Sequence, residues 1–137
     1  MNLVVDANSL AALFLPNEDS VTAERYLQQA ETVAAPKLAI VETVAAFFRR
    51  TRKDSLTMHQ ATTAADNWRQ TVQSGGINFY EDAEILSESC ATAVHLNHAL
   101  QDCIYLELAR KLSYTLMTGD RVFGKKAAAI YQDIVTV

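Results

Sequence analysis

Short apolar runs of β character alternate with helical stretches along the whole of this sequence, and nothing else in it constrains the fold as tightly. Residues 2–6 read as a short buried strand, with further strands over residues 32–35, 77–80, 114–118 and 133–136. Between them the spacing predicts helices over residues 9–15, stopped by Pro16, and 20–30, capped by Asp19 or Ser20, with Val21, Tyr26 and Leu27 apolar. A further helix runs over residues 36–53 with Pro36 in its first turn, then a polar one over residues 57–73, ended by Ser74-Gly75-Gly76. Residues 82–96, 99–112 and 120–129 complete the set. Strands interleaved with helices in this way build a parallel or mostly parallel sheet with helices on its faces, an α/β fold. The 137 residues suit a single domain over 1–137 with a core of its own.

The first strand ends on a carboxylate, Asp6, at the mouth of its own core. In open α/β sheets, ligands bind beyond the carboxyl ends of the strands. Asp120, two residues past the strand at 114–118, reaches the same edge if the two strands are neighbours. Glu42 falls within the predicted apolar face of Leu38, Val41, Ala45 and Phe48, with Ile40, Val44 and Phe47 beside it, and a charge there is costly unless paired or ligating. Asp102 sits above Tyr105, Leu106 and Ala109 in a helix that also carries Cys103, Ile104 and Leu108. Each acid has a plainer reading: Asp6 and Asp120 as helix caps, Asp102 as a complement to a helix dipole, Glu42 as partner of an Arg. Together, four acids with no Lys or Arg on the same apolar faces would repel one another unless a cation neutralised them. Oxygen ligands select Mg²⁺ or Mn²⁺, and such sites hydrolyse phosphate esters.

The residues VVDANSLAALF, APKLAIVETVAAFFRR, LQDCIYLELARKL and LMTGDRVF, in this order, resemble PIN-domain ribonucleases, in particular the short VapC-type toxins of toxin–antitoxin pairs. The resemblance implies that Asp6, Glu42, Asp102 and Asp120 form a catalytic, metal-binding cluster, with Asn8 and Thr118 orienting a carboxylate or a water. It further implies endonucleolytic cleavage of structured RNA such as tRNA or rRNA, a small antitoxin as protein partner, and a homodimer. The sequence departs from the pattern in two places. Arg121-Val122-Phe123 follows Asp120 where a further Asp or Asn is common, and Thr43 follows Glu42 where an aliphatic residue is usual.

The net charge of −4 argues against broad nucleic-acid binding through charge alone, so any RNA contact has to come from a local basic cluster. Arg121, Arg49 and Arg50 are the chief candidates, ahead of Arg52, Lys53, Arg110, Lys111, Lys125 and Lys126; a helix end whose cations complement its dipole is the plainer reading of Arg49–Lys53. His95, His98 and Asp102 would align on one continuous helix and could there form a His–carboxylate metal site, but the spacing matches no known motif, and ordinary polar surface or a helix junction is the favoured reading. Trp68, Phe47 and Phe48 read as core or dimer contacts. Cys90 and Cys103 read as reduced, buried small hydrophobes. With no span-length apolar run and no secretory signal pattern, no membrane association and a cytoplasmic location are expected. Two alternatives stand beside a nuclease. One is a PIN-like module that binds RNA or protein without catalysis. The other is a haloacid dehalogenase-type phosphatase, disfavoured because its second Asp would fall at Asn8.

Overall fold

A computed structural model describes residues 1–15, 20–53 and 56–137. Five strands form one wholly parallel sheet: β1 (Asn2–Val5), β2 (Thr32–Pro36), β3 (Asn78–Tyr80), β4 (Thr115–Thr118) and β5 (Ile134–Thr136), in the order β3-β2-β1-β4-β5. Seven α-helices are described: α1 (Ala7–Phe14), α2 (Ser20–Gln29), α3 (Leu38–Lys53), α4 (Met58–Ser74), α5 (Leu86–Leu96), α6 (Leu100–Leu112) and α7 (Arg121–Ala127), with a 3-10 turn at Asp82–Ile85 before α5. Helices α1 to α4 pack on one another, while α5 lies on α6, which rests against β1, β2 and β4. Leu3, Val4, Val5, Leu116 and Met117 are fully enclosed, as strands covered on both faces require. From β1 the strand order runs outward both ways, so the switch point lies between β1 and β4, where such sheets open a binding crevice.

Several expectations need correction. Pro36 is the last residue of β2, opposite Tyr80, and not the first of a helix. Lys37 N–H donates to Tyr80 O at 2.9 Å, and the carboxylate of Asp82, from another element, accepts from Leu38 N at 3.2 Å and caps α3. The inner face of α3 is Ala39, Thr43, Ala46 and Phe47; Val41, expected inside, is 72% exposed. Val21 is likewise exposed, and Ala23 fills the inner side of α2. Cys90 is exposed because α5 turns Ser89 and Thr92 inward; Cys103 is buried, and both are free thiols. The stop at Pro16 and the cap at Asp19 fall outside the described residues.

Other local rules hold. Thr57 caps α4 through a reciprocal pair with Gln60, and Gly75 ends that helix at φ 79°. Trp68 is buried and donates from Nε1 to Ile40 O at 2.9 Å, with Phe14 and Phe79 edge-on to its ring.

Candidate functional site

Asp6 leaves β1 as the N-cap of α1. Its Oδ1 accepts from Ser9 N at 2.9 Å, and its Oδ2 accepts from Thr118 Oγ1 at 2.7 Å and Gly119 N at 3.0 Å. The capping reading of Asp6 is therefore correct, and it fixes the carboxylate at the switch point. Burial pushes its pKa up, against the pull of the hydrogen bonds from Ser9, Thr118 and Gly119. Thr118 links the two strand ends: its hydroxyl donates to Asp6 and accepts from Asp120 N at 3.1 Å. Asp120 in turn caps α7, with Oδ1 accepting from Phe123 N at 3.0 Å.

Glu42 is half-buried on α3. It is neither unpartnered nor on the enclosed face, because Tyr105 OH, from α6, donates to its Oε1 at 2.9 Å. Burial raises its pKa first of all; the Tyr105 hydroxyl opposes this, Asp102 and Asp6 add to it, and Arg49 counters them. Glu42 thus lies within electrostatic reach of both Asp102 and Asp6. Asp102 stands in the first turn of α6 and receives His98 Nε2 on Oδ2 at 2.6 Å, while Asp120 Oδ2 lies 3.9 Å from the same nitrogen. The helix does not run through His95 and His98: Asn97, at φ 48°, ends α5, so His98 is a junction residue and His95 stays exposed on α5. One narrow crevice is lined by Asp6, Asp102, Tyr105, Thr118 and Phe123.

The fold thus brings Asp6, Glu42, Asp102, Asp120 and Thr118 to one edge, adds Asn8 through its bond with Arg49 Nη2 at 3.4 Å, and joins to them Tyr105, read from the sequence as part of an apolar stripe, and His98, read as a surface or junction residue. The ligand atoms of His98, Asp102 and Asp120 lie within 4.8 Å of one another. Crowded carboxylates, with Asp6 and Glu42 raised in pKa, are what a divalent cation relieves, and the oxygen donors suit a hard one. Arg49, Arg50 and Lys53 line a groove that includes Asn8 and Gly119. Arg50 also donates to Leu15 O at the end of α1, a structural contact. Arg121 is exposed at the start of α7. Next to Asp102, the Cys103 thiol is pushed up to about 11, chiefly by burial and then by Asp102 and Glu107, which keeps it protonated and unreactive.

Comparison with known proteins identifies the family. The PIN domain family matches residues 3–129. The chain is 31% identical over 130 residues to Ribonuclease VapC3 of Pyrobaculum aerophilum, covering 95% of this chain and 98% of that one. Among solved structures, PAE2754 from Pyrobaculum aerophilum aligns over 100% of this chain and 90% of its own at 22% identity, with a TM-score of 0.72. A toxin–antitoxin complex from Klebsiella pneumoniae aligns over 98% and 96% at 20% identity, with a TM-score of 0.66. The haloacid dehalogenase alternative falls with the family match. A parallel sheet with acids gathered at its switch point, a family match over most of its length and a relative similar almost end to end together establish that the chain belongs to the PIN-domain family.

Proposed function

We propose that the chain is a Mg²⁺- or Mn²⁺-dependent endoribonuclease, the toxin of a type II toxin–antitoxin pair, that cuts structured RNA such as tRNA or rRNA. The observation that carries this reading is the gathering of four acids at the switch point: Asp6 and Asp102 line one crevice, both add to the raised pKa of Glu42, and Asp120 lies beside Asp102. The relation to a VapC ribonuclease and the toxin–antitoxin neighbour support it. Asp6, Glu42, Asp102 and Asp120 would hold the cation, and Asn8 and Thr118 would orient the groups around it. A divalent cation there supplies Lewis acidity, activating water and offsetting charge on the phosphodiester.

The chain's own side chains do the positioning. Thr118 and the Gly119 amide hold Asp6, Tyr105 holds Glu42, and the α7 cap holds Asp120. Arg49 and Lys53, along the groove beside Asn8, and the exposed Arg121 would meet RNA phosphates, while Arg50 is engaged with α1. The likeness to a toxin–antitoxin complex supports a small antitoxin as partner, and the family resemblance implies a homodimer.

The deciding experiment is RNA cleavage by purified protein with Mg²⁺ or Mn²⁺, with an EDTA control and the Glu42→Gln variant. Cleavage is expected only with the metal and the wild-type acid. Cleavage that persists in Glu42→Gln refutes the assigned site. Absence of Mn²⁺ binding by calorimetry favours a non-catalytic binding module instead. Growth arrest on expression, lost in Asp102→Ala, tests the toxin role.

A further inference from the structure

His98 leaves the left-handed Asn97 with its backbone N–H on Ala93 O at 3.1 Å and its ring against Phe123, centroids 4.7 Å apart. The side chain is 13% exposed. Three charged groups face the ring: Asp102 Oδ2 at 2.6 Å and Asp120 Oδ2 at 3.9 Å from Nε2, and Lys126 Nζ at 3.4 Å from Nδ1. Lys126 is itself anchored, donating to Asn97 O at 2.9 Å. Because an ammonium carries only donors, it can give a hydrogen bond to Nδ1 but cannot accept one. A proton on Nδ1 would point straight at that charge, so the geometry favours the tautomer with its proton on Nε2, toward Asp102.

Two roles compete for such a histidine. Nε2 could join Asp102 and Asp120 as a ligand, and a mixed nitrogen and oxygen set would favour transition metals over Mg²⁺. Ligation needs a lone pair on Nε2 and the proton on Nδ1, the arrangement Lys126 opposes. The other role is to orient a ligand, since ligating carboxylates are themselves hydrogen-bonded. We propose that His98 is a positioning residue: held by Lys126 with its proton on Nε2, it donates to Asp102 Oδ2 and leaves Oδ1 as the oxygen that faces a cation. This rests on the reading of the acids as a cation site. It makes the site an all-oxygen one despite the imidazole beside it.

The test titrates wild type, His98→Ala and His98→Gln with Mn²⁺ by calorimetry, each first checked for cooperative thermal unfolding. It also follows the ring nitrogens of His98 in the wild type by ¹⁵N NMR, with and without Mg²⁺. His98→Ala should bind Mn²⁺ about 10- to 100-fold more weakly. His98→Gln, whose amide still donates, should recover most of that loss. The NMR spectra should show the proton on Nε2 in both conditions. Unchanged affinity in His98→Ala, or a proton that moves to Nδ1 when Mg²⁺ binds, overturns the role of His98 alone. A wild type that binds no Mn²⁺ overturns the cation site and this proposal together.

Discussion

Replacing Tyr105 by Phe removes one oxygen and keeps the ring. The side chain is 2% exposed in the middle of α6, so its packing survives; what is lost is the O–H donated to Glu42 Oε1 at 2.9 Å. That hydroxyl is a dependable donor, because burial and the neighbouring carboxylates push its pKa well above the usual tyrosine range. A hydrogen bond to a charged acceptor contributes about 1.5–3 kcal/mol when buried. Glu42 is only half-buried, so water can replace the lost donor, and the cost to folding should be about 1 kcal/mol. For a chain of this size that lowers the unfolding midpoint by about 3–5 °C.

The effect on cation binding has a different origin. The Tyr105 hydroxyl holds Glu42 in one rotamer, and a released Glu gives up about 1.5 kcal/mol of side-chain freedom when it is ordered again. Since about 1.4 kcal/mol is a factor of ten, Tyr105→Phe should bind Mn²⁺ about tenfold more weakly. Losing the donor also makes Glu42 harder to ionise, which acts in the same direction. Calorimetric titration at neutral pH, paired with thermal unfolding in chelator, separates the two effects. A lower midpoint with unchanged Mn²⁺ affinity would refute the argument and reduce Tyr105 to a core filler.

Thr43 is fully buried beside Glu42, and its hydroxyl has no hydrogen-bond partner among the described residues. Thr43→Val keeps the shape and should gain about 1–2 kcal/mol in urea unfolding; a loss of stability would mean that the hydroxyl is satisfied by water. Asp6 and Glu42 both have raised pKa values, so the folded protein binds their protons more tightly than the unfolded chain. Between the ordinary carboxylate range and the raised values, stability falls as pH rises, and the metal-free protein should unfold at higher temperature near pH ~5 than near pH ~7. Glu42→Gln, which can still accept from Tyr105, should flatten part of that slope, and an unchanged slope would contradict the assignment. At Gly124 an added Cβ would lie 2.7 Å from Thr136 Oγ1, so Gly124→Ala should cost about 1–3 kcal/mol, partly recovered by Thr136→Ala in a double-mutant cycle.

Local signals carried most of the element order into the sequence. Strand-length apolar runs, the Thr57 cap and the glycines after α4 place β1 to β5 and α4 within a residue or two. Pro36 misled because proline fits both a first helical turn and the end of a strand; its pairing with Tyr80, 44 residues away, decides between them. The face of α3 misled for a related reason. Residues 38–48 are apolar nearly all round, so periodicity leaves the inner side open until α1 and α4 pack against it. Tyr105 is legible only as an apolar residue and His98 only as a surface or junction one, because their bonds to Glu42 and Asp102 depend on contacts made in three dimensions: a helix 63 residues away for the tyrosine, a left-handed break at Asn97 for the histidine.

The sequence also posed a choice between cap and ligand that the geometry dissolves. In a parallel sheet each strand end leads into a helix N-terminus, so an acid at that junction faces amide hydrogens and the crevice at once. Asp120 gives Oδ1 to the α7 amides, and its Oδ2 lies toward His98. Asp102 has one oxygen on His98, and Glu42 one on Tyr105. Among the described residues, Asp6 is the one of the four acids with both oxygens engaged by protein donors, and it is the acid at the switch point itself, enclosed by the sheet. A tethered carboxylate has already lost much of its rotamer freedom and still keeps lone pairs for a cation. Capping for Asp6 and Asp120, and side-chain donors for Glu42 and Asp102, are therefore how a small fold holds repelling charges in place, and under the proposed function the acids that cap are also prepared to bind.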